Sequence, residues 1–231
     1  MKFMELIRQQ LSSKYCILCR EAVRESGISC EDLCICPECE ARMELYLPGT
    51  SFSGDETVKT VYAAAPYRGI LRDAFLHHKF YEQKAFYKIF AILLIRALEP
   101  VMNQMQYDLI LPVPLSPKRM NERGYNQAGL LAREVSSHFG IEYSDTALFR
   151  TRNTAKQSLL LPHQRLKNVE NAFLADREKV QEKRILVIDD ILTFGATLSA
   201  SGQALLDAGA AGIDAAVLFK AVPRNDENDH F

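Results

Sequence analysis

From residue 58 onward, short apolar runs alternate with longer segments of helical periodicity, and the order of the two types predicts the architecture. Val58–Ala64 reads as a strand. Gly69–Lys79 reads as a helix carrying Ile70, Leu71, Phe75 and Leu76, and a second helix over Gln83–Leu98 is expected to stop before Pro100. Asp108–Val113 is an apolar strand broken by Pro112 and Pro114, and Tyr125–Phe139 is helical with Leu130, Leu131 and Val135 on one face. Ile185–Ile188 is wholly apolar, as the buried middle of a parallel sheet requires. A helix over Ala196–Ala208 and the strand Ala215–Phe219 follow. Strands and helices alternating at these lengths imply an α/β fold with a doubly wound, mostly parallel sheet.

The polar stretch Pro48–Glu56 reads as a linker, and the acidic Asn225–His230 as a disordered tail. The expected organisation is therefore an N-terminal helix and cysteine-rich module over 1–55, a main domain over 56–224 and a tail over 225–231. The formal net charge of −1 removes bulk charge as a sign of nucleic-acid binding, so any such role must come from local clusters. The longest apolar candidate, Ile89–Leu98, contains Arg96 and falls short of the roughly 18–20 residues a membrane helix needs. With no signal-peptide pattern in the mixed stretch Met1–Lys14, a cytoplasmic protein without membrane insertion is expected.

All six cysteines fall between Cys16 and Cys39. Cys16-Ile-Leu-Cys19 and Cys36-Pro-Glu-Cys39 are two C-x₂-C pairs with sixteen residues between them, the spacing of a zinc ribbon. Each pair aims two thiolates at one point, so together they predict a structural Zn²⁺ site. Cys30 and Cys34 are alternative ligands, disfavoured because the C-x-C spacing of Cys34 and Cys36 chelates less well.

In Arg184–Leu198, four apolar residues run into Asp189 and Asp190, and then a loop with Thr193, Gly195 and Thr197 opens a helix. A loop at the carboxyl end of a parallel strand that begins a helix offers free amides to a phosphate. Two carboxylates beside it suit ribose hydroxyls and Mg²⁺. These residues resemble the phosphoribosyl pyrophosphate (PRPP) motif of type I phosphoribosyltransferases. By that resemblance Asp189 and Asp190 hold the ribose hydroxyls with Mg²⁺, and Thr193, Phe194, Gly195, Ala196 and Thr197 wrap the 5′-phosphate. Phe194 departs from the pattern: it stands where such proteins usually carry a small or hydroxyl residue, removing a donor but keeping the backbone N–H.

Two further segments face anions. Pro112–Gln127 leaves a strand through three prolines and presents Lys118, Arg119 and Arg123, a candidate pyrophosphate loop. Arg150–Val169 contains no acidic residue and lies just upstream of the acidic strand. Type I enzymes carry a flexible hood at that place, here Arg150, Arg152, Lys156, Gln157 and Arg165.

In order, PVPL, RGYNQ, RTRNTAKQS, the Arg165/Asn168/Asn171–Phe173 pattern and the acidic pair, with the cysteine knuckles before them, resemble the ComF/GntX family. That resemblance implies the type I phosphoribosyltransferase kind of sheet and a part in natural transformation. It also implies PRPP as ligand, with single-stranded DNA and a competence helicase or other uptake protein as candidate partners. Two functions follow. One is a phosphoribosyltransferase in which a nucleophile attacks C1′ of PRPP and expels pyrophosphate. The other is a non-catalytic module on the same fold that binds single-stranded DNA or a partner. No residue stands out as a general base.

Overall fold

The computed structural model describes residues 14–23, 27–30, 33–80, 86–151 and 172–222. The chain divides into two compact units, one of Met1–Glu44 with Arg68–Phe90 and the other of Leu45–Tyr67 with Ala91–Phe231.

In the first unit, β1 (Lys14–Tyr15) pairs antiparallel with β2 (Ala22–Val23), and β3 (Ser29–Cys30) with β4 (Leu33–Cys34). A parallel bridge between Cys16 and Cys34 joins the hairpins. The helix α1 (Pro37–Arg42) starts from Cys36 with Pro37 at its first position, where a missing N–H costs nothing. The helix α2 (Gly69–Phe80) follows. Here Phe75 meets the rings of Tyr87 and Phe90 edge-on, at centroid distances of 6.0 and 5.5 Å.

The helix α3 (Phe86–Met102) runs through Pro100, beyond the stop expected at that proline. So near the helix end, the ring removes only the bond to the Arg96 carbonyl. The neighbouring Ala97 carbonyl accepts from the Gly49 amide at 2.8 Å, so the last turn is held from outside.

The second unit is built on a six-stranded sheet. Its strands are β5 (Ser51–Ser53), β6 (Thr60–Pro66), β7 (Leu109–Pro112), β8 (Glu142–Tyr143), β11 (Arg184–Leu192) and β12 (Gly212–Lys220), in the order β5-β6-β12-β11-β7-β8. All neighbours are parallel except β5, which lies antiparallel on β6. Part of the expected linker is thus an edge strand: Ser51, Phe52 and Ser53 pair with Tyr62, Val61 and Thr60. A polar, alternating composition is what a half-exposed edge carries.

Helices cover both faces. Val61, Ala63, Leu109, Leu111, Ile185, Val187, Ala215 and Val217 share a core with Ala196, Leu198 and Leu205 of α7 (Ala196–Asp207), which follows the short α6 (Arg177–Val180) in the chain. The ribbon of β9 (Leu148–Arg150) and β10 (Phe173–Ala175) adds Leu148 and Phe173 to that core. The helix α5 (Gln127–Phe139) packs on β7 and β11 and buries Leu131, Ala132 and Val135, none of which joins that cluster. The sheet is therefore doubly wound, as the strand–helix alternation predicts.

The helix α7 lies so close to the turn before β6 that a Cβ added at Gly202 would sit 2.8 Å from Val58 Cγ2 and 2.9 Å from Thr57 Oγ1. Alanine at 202 should therefore lower stability. Overpacking of about 1–3 kcal/mol outweighs the roughly 1 kcal/mol that alanine gains over glycine in a helix. Chemical denaturation of Gly202→Ala measures this, and a variant as stable as the parent would disprove the close approach.

Candidate functional site

The six strands define where a ligand can enter. From β7 the chain passes outward through α5 to β8, whereas from β11 it passes through α7 to β12 on the other side. The order thus reverses between β7 and β11, and open α/β sheets bind ligands in such a crevice, beyond the carboxyl ends of the strands. The β7–β11 ladder ends with Ile188 opposite Pro112, and the Val113 amide donates to the Ile188 carbonyl at 2.9 Å. Asp189 and Asp190 follow at once. The strand itself continues to Leu192, paired only with β12, so the acidic pair sits on extended backbone and not in a loop.

Beyond Leu192 the chain turns through Thr193 and Phe194, and Gly195 adopts φ 76° as the N-cap of α7. That conformation is open to glycine with little strain. Gly195 has no side chain to cap α7, and the helix opens on the amides that a phosphate can meet. A cavity of ≈ 270 Å³ opens beside this loop, lined by Asp55, Val58, Leu192, Thr193 and Gly195 among others. The Phe194 side chain is 62% exposed, so the ring that departs from the PRPP pattern is turned largely to solvent.

A support for this loop went unrecognised in the sequence. The one Thr57 hydroxyl proton is shared between Asp55 Oδ1 and, at 3.2 Å, the Ser199 carbonyl in the first turn of α7. Asp55 Oδ1 in turn accepts from the Thr57 amide at 2.8 Å, the Thr57 hydroxyl at 2.6 Å and the Val58 amide at 3.0 Å. Burial alone would raise the Asp55 carboxyl, but these hydrogen bonds hold it below its ordinary value. The two segments lie 142 residues apart, and no local pattern announces such a tether.

The segment expected to be a proline-stiffened loop is a helix, α4 (Pro117–Arg123). Ser116 Oγ accepts from the Arg119 amide at 3.4 Å, Pro117 fills the first position, and Gly124 ends the helix at φ 71°. This geometry separates the three expected cations. Lys118 sits 4.0 Å from Glu122 on the exposed side. Arg119 and Arg123 lie one turn apart, and burial followed by the charge of Arg123 lowers the Arg119 pKa, against the pull of Asp190 and Glu122.

Arg150 on β9 adds a third guanidinium. Burial, then repulsion from Arg119, lowers its pKa to about 10, while Asp189 opposes the shift. The two carboxylates alternate sides of β11, and each is felt by a different arginine: Asp190 by Arg119 and Asp189 by Arg150. Arg150 also borders a cavity of ≈ 610 Å³, together with Pro112, Tyr125, Asn126 and Phe149. Of the residues expected to form a hood, Arg152, Lys156, Gln157 and Arg165 lie outside the described residues.

In the first unit the Sγ atoms of Cys16, Cys19, Cys36 and Cys39 all lie within 4.8 Å of one another. Cys19 and Cys36 are 3.8 Å apart, and four Zn–S bonds of about 2.3 Å at tetrahedral angles require roughly that separation. The amides of Leu18 and Cys36 both approach Cys16 Sγ at 3.4 Å. Burial raises the Cys16 thiol, but hydrogen bonds from the Cys19, Cys36 and Leu18 amides, with the Cys19 thiol, outweigh it and bring it down to about 7. Burial pushes Cys36 up to about 11, and burial with neighbouring thiols also raises Cys39. Four sulfurs this close cannot all ionise without a cation among them, so the cluster suits a divalent metal. Cys34 is fully buried, its thiol 3.6 Å from the Tyr15 carbonyl, and neither it nor Cys30 joins the cluster.

Residues 122–230 match the phosphoribosyl transferase domain. The chain is 37% identical over 106 residues to DNA utilization protein YhgH of Escherichia coli K12, which is 46% of each protein. Competence protein F of Haemophilus influenzae is 33% identical over 104 residues, 44% of this chain and 45% of that one. Competence protein ComFC of Bacillus subtilis is 36% identical over 106 residues, 46% of this chain and 41% of that one. The chain thus spans just under half the length of the relatives it matches. Among solved structures, the allosteric regulatory enzyme of purine biosynthesis is 20% identical, with a TM-score of 0.37, over 59% of this chain and 25% of that one. Residues 122–230, with β8, β11 and β12 of the sheet and its acidic strand end, thus form a phosphoribosyltransferase-like domain. Over just under half its length the chain is similar to a DNA utilization protein and to two competence proteins. Among the described residues no helix is long and apolar enough to cross a membrane.

Proposed function

We propose that this protein binds Mg²⁺–PRPP at the end of β11 and acts, in the cytoplasm, in the handling of DNA taken up during competence. The observation that carries the ligand assignment is the acidic pair at the β7/β11 reversal, directly before the Gly195 start of α7 and beside Arg119 and Arg150. Asp189 and Asp190 hold the ribose hydroxyls. The backbone of Thr193, Phe194, Gly195, Ala196 and Thr197 takes the 5′-phosphate. Arg119 and Arg123 take the diphosphate, and Arg150, with Arg152, Lys156, Gln157 and Arg165 as the hood, closes on it. Lys118 joins them only by releasing Glu122. Mg²⁺, when bound, neutralises diphosphate oxygens.

In turnover, the lone pair of an acceptor nitrogen forms a bond to C1′ while the C1′–O bond breaks. Pyrophosphate leaves with that electron pair, and the nitrogen loses its proton to solvent. The arginines stabilise the charge building on the leaving group. Cys16, Cys19, Cys36 and Cys39 hold a structural Zn²⁺ that orders an N-terminal module joined to the transferase domain. The role in DNA uptake rests on the names of the relatives, for they are a DNA utilization protein and two competence proteins.

Calorimetric titration of the zinc-loaded protein with PRPP, with and without Mg²⁺, tests the ligand. Saturable binding that requires Mg²⁺ is expected, and absence of binding at millimolar PRPP would refute the assignment. In that event the alternative, a module that holds single-stranded DNA or a helicase partner without using PRPP, becomes the account to test.

A further inference from the structure

Gln127, the first residue of α5, is only 2% exposed. Its Oε1 accepts from Arg123 Nη1 at 2.9 Å. Its Nε2 is buried and meets no acceptor among the described residues. A buried carboxamide with its donor half unpaired is less favourable than an apolar side chain of the same shape, so folding alone does not explain it. What it does accomplish is to hold Arg123, one turn along α4 from Arg119. The two guanidiniums repel each other, which adds to the effect of burial in lowering Arg119. On long stems, both would otherwise swing apart into water.

The chemistry of the acceptor matters as much as its place. A glutamate at 127 would hold Arg123 equally well but cancel its charge. A carboxamide fixes the guanidinium and leaves its full positive charge for an anion. We infer that Gln127 is a positioning residue for the diphosphate group of the ligand, holding Arg123 beside Arg119 as a pre-formed anion site. The inference rests on the reading that Mg²⁺–PRPP binds at this crevice. It adds that the diphosphate half of the site depends on a side chain that does not itself touch the ligand.

The test compares Gln127→Met and Gln127→Glu with the parent protein, using three probes: Mg²⁺–pyrophosphate, Mg²⁺–PRPP and ribose 5-phosphate. In Gln127→Met the affinity for both diphosphate probes should fall about tenfold, as for one lost charge-assisted contact, while ribose 5-phosphate changes by less than about twofold. The melting midpoint should not fall, because the unpaired donor is gone as well. In Gln127→Glu the hydrogen bond persists, yet diphosphate affinity should fall because the charge is neutralised. Equal losses for all three probes, full diphosphate affinity in either variant, or a lower midpoint with unchanged affinities would overturn the inference. The last result would make the contact a simple tether between α4 and α5. If the parent binds pyrophosphate but not PRPP, the proposed ligand fails while the role of Gln127 is still decided on pyrophosphate. If it binds none of the probes, both fail.

Discussion

Replacing Asp189 and Asp190 together by asparagine should weaken Mg²⁺–PRPP binding by more than about a hundredfold without unfolding the protein. Each carboxylate that accepts from a ribose hydroxyl supplies roughly 1.5–3 kcal/mol, and tenfold in affinity corresponds to about 1.4 kcal/mol. Because the residues are adjacent, with the Asp190 amide donating to Asp189 Oδ1 at 2.8 Å, the two losses will not simply add. The fold should survive because asparagine keeps the volume, and the carboxamide oxygen at 189 can still accept from that amide. Calorimetry for affinity and thermal melting for stability separate the outcomes. A double variant that still binds at parental affinity would show that the ligand's diol lies elsewhere. One that fails to melt cooperatively would show that the pair is structural.

Removing metal from the cysteine cluster should have the second large effect, and one confined to the first unit. Structural zinc supplies on the order of 10 kcal/mol or more to small modules of this kind. The hairpins of this unit are only two residues per strand, too short to stand alone. Hydrogen exchange before and after chelation should show protection lost at amides bonded within the ribbon, such as Ile17 to Cys34 and Ile35 to Ile28. Protection should persist on β11 and β7, where the ladder is parallel and buried. Cys39→Ser should reproduce the chelated pattern, whereas Cys30→Ser should not, since Cys30 lies outside the cluster. Unchanged exchange after complete chelation would mean that the four thiols order the ribbon by themselves.

Several elements were legible in the chain for local reasons. The run Ile185–Ile188 reads as a buried strand, and the acidic pair and then a glycine mark where the chain turns into the next helix. The two C-x₂-C knuckles carry their own chelating geometry, which is why four of six cysteines could be chosen before any fold was known. The helix α4 was legible too but passed unread. Ser116, Pro117 and Gly124 are a cap, a first-turn proline and a left-handed terminator, overshadowed by the prolines around them. Pro100 misled in the opposite sense, because a proline near a helix end costs a single bond that the surroundings can tolerate.

The sequence by itself determined most of the strands and helices, the doubly wound character of the sheet, the clustering of the cysteine knuckles and the turn from the acidic strand into a helix. Each depends on residues within a few positions of one another, where backbone geometry and side-chain periodicity act directly. Only the tertiary structure decided which cations lie near the acidic pair. Arg119 and Arg150 come together with Asp189 and Asp190 through strand order, while Lys118, adjacent in sequence, is turned towards Glu122. It also decided that Thr57 steadies α7 across 142 residues and that Gln127 holds Arg123 with a buried carboxamide. Such pairings are set by how strands order and helices pack, and packing joins residues whose separation in the chain carries no local signal.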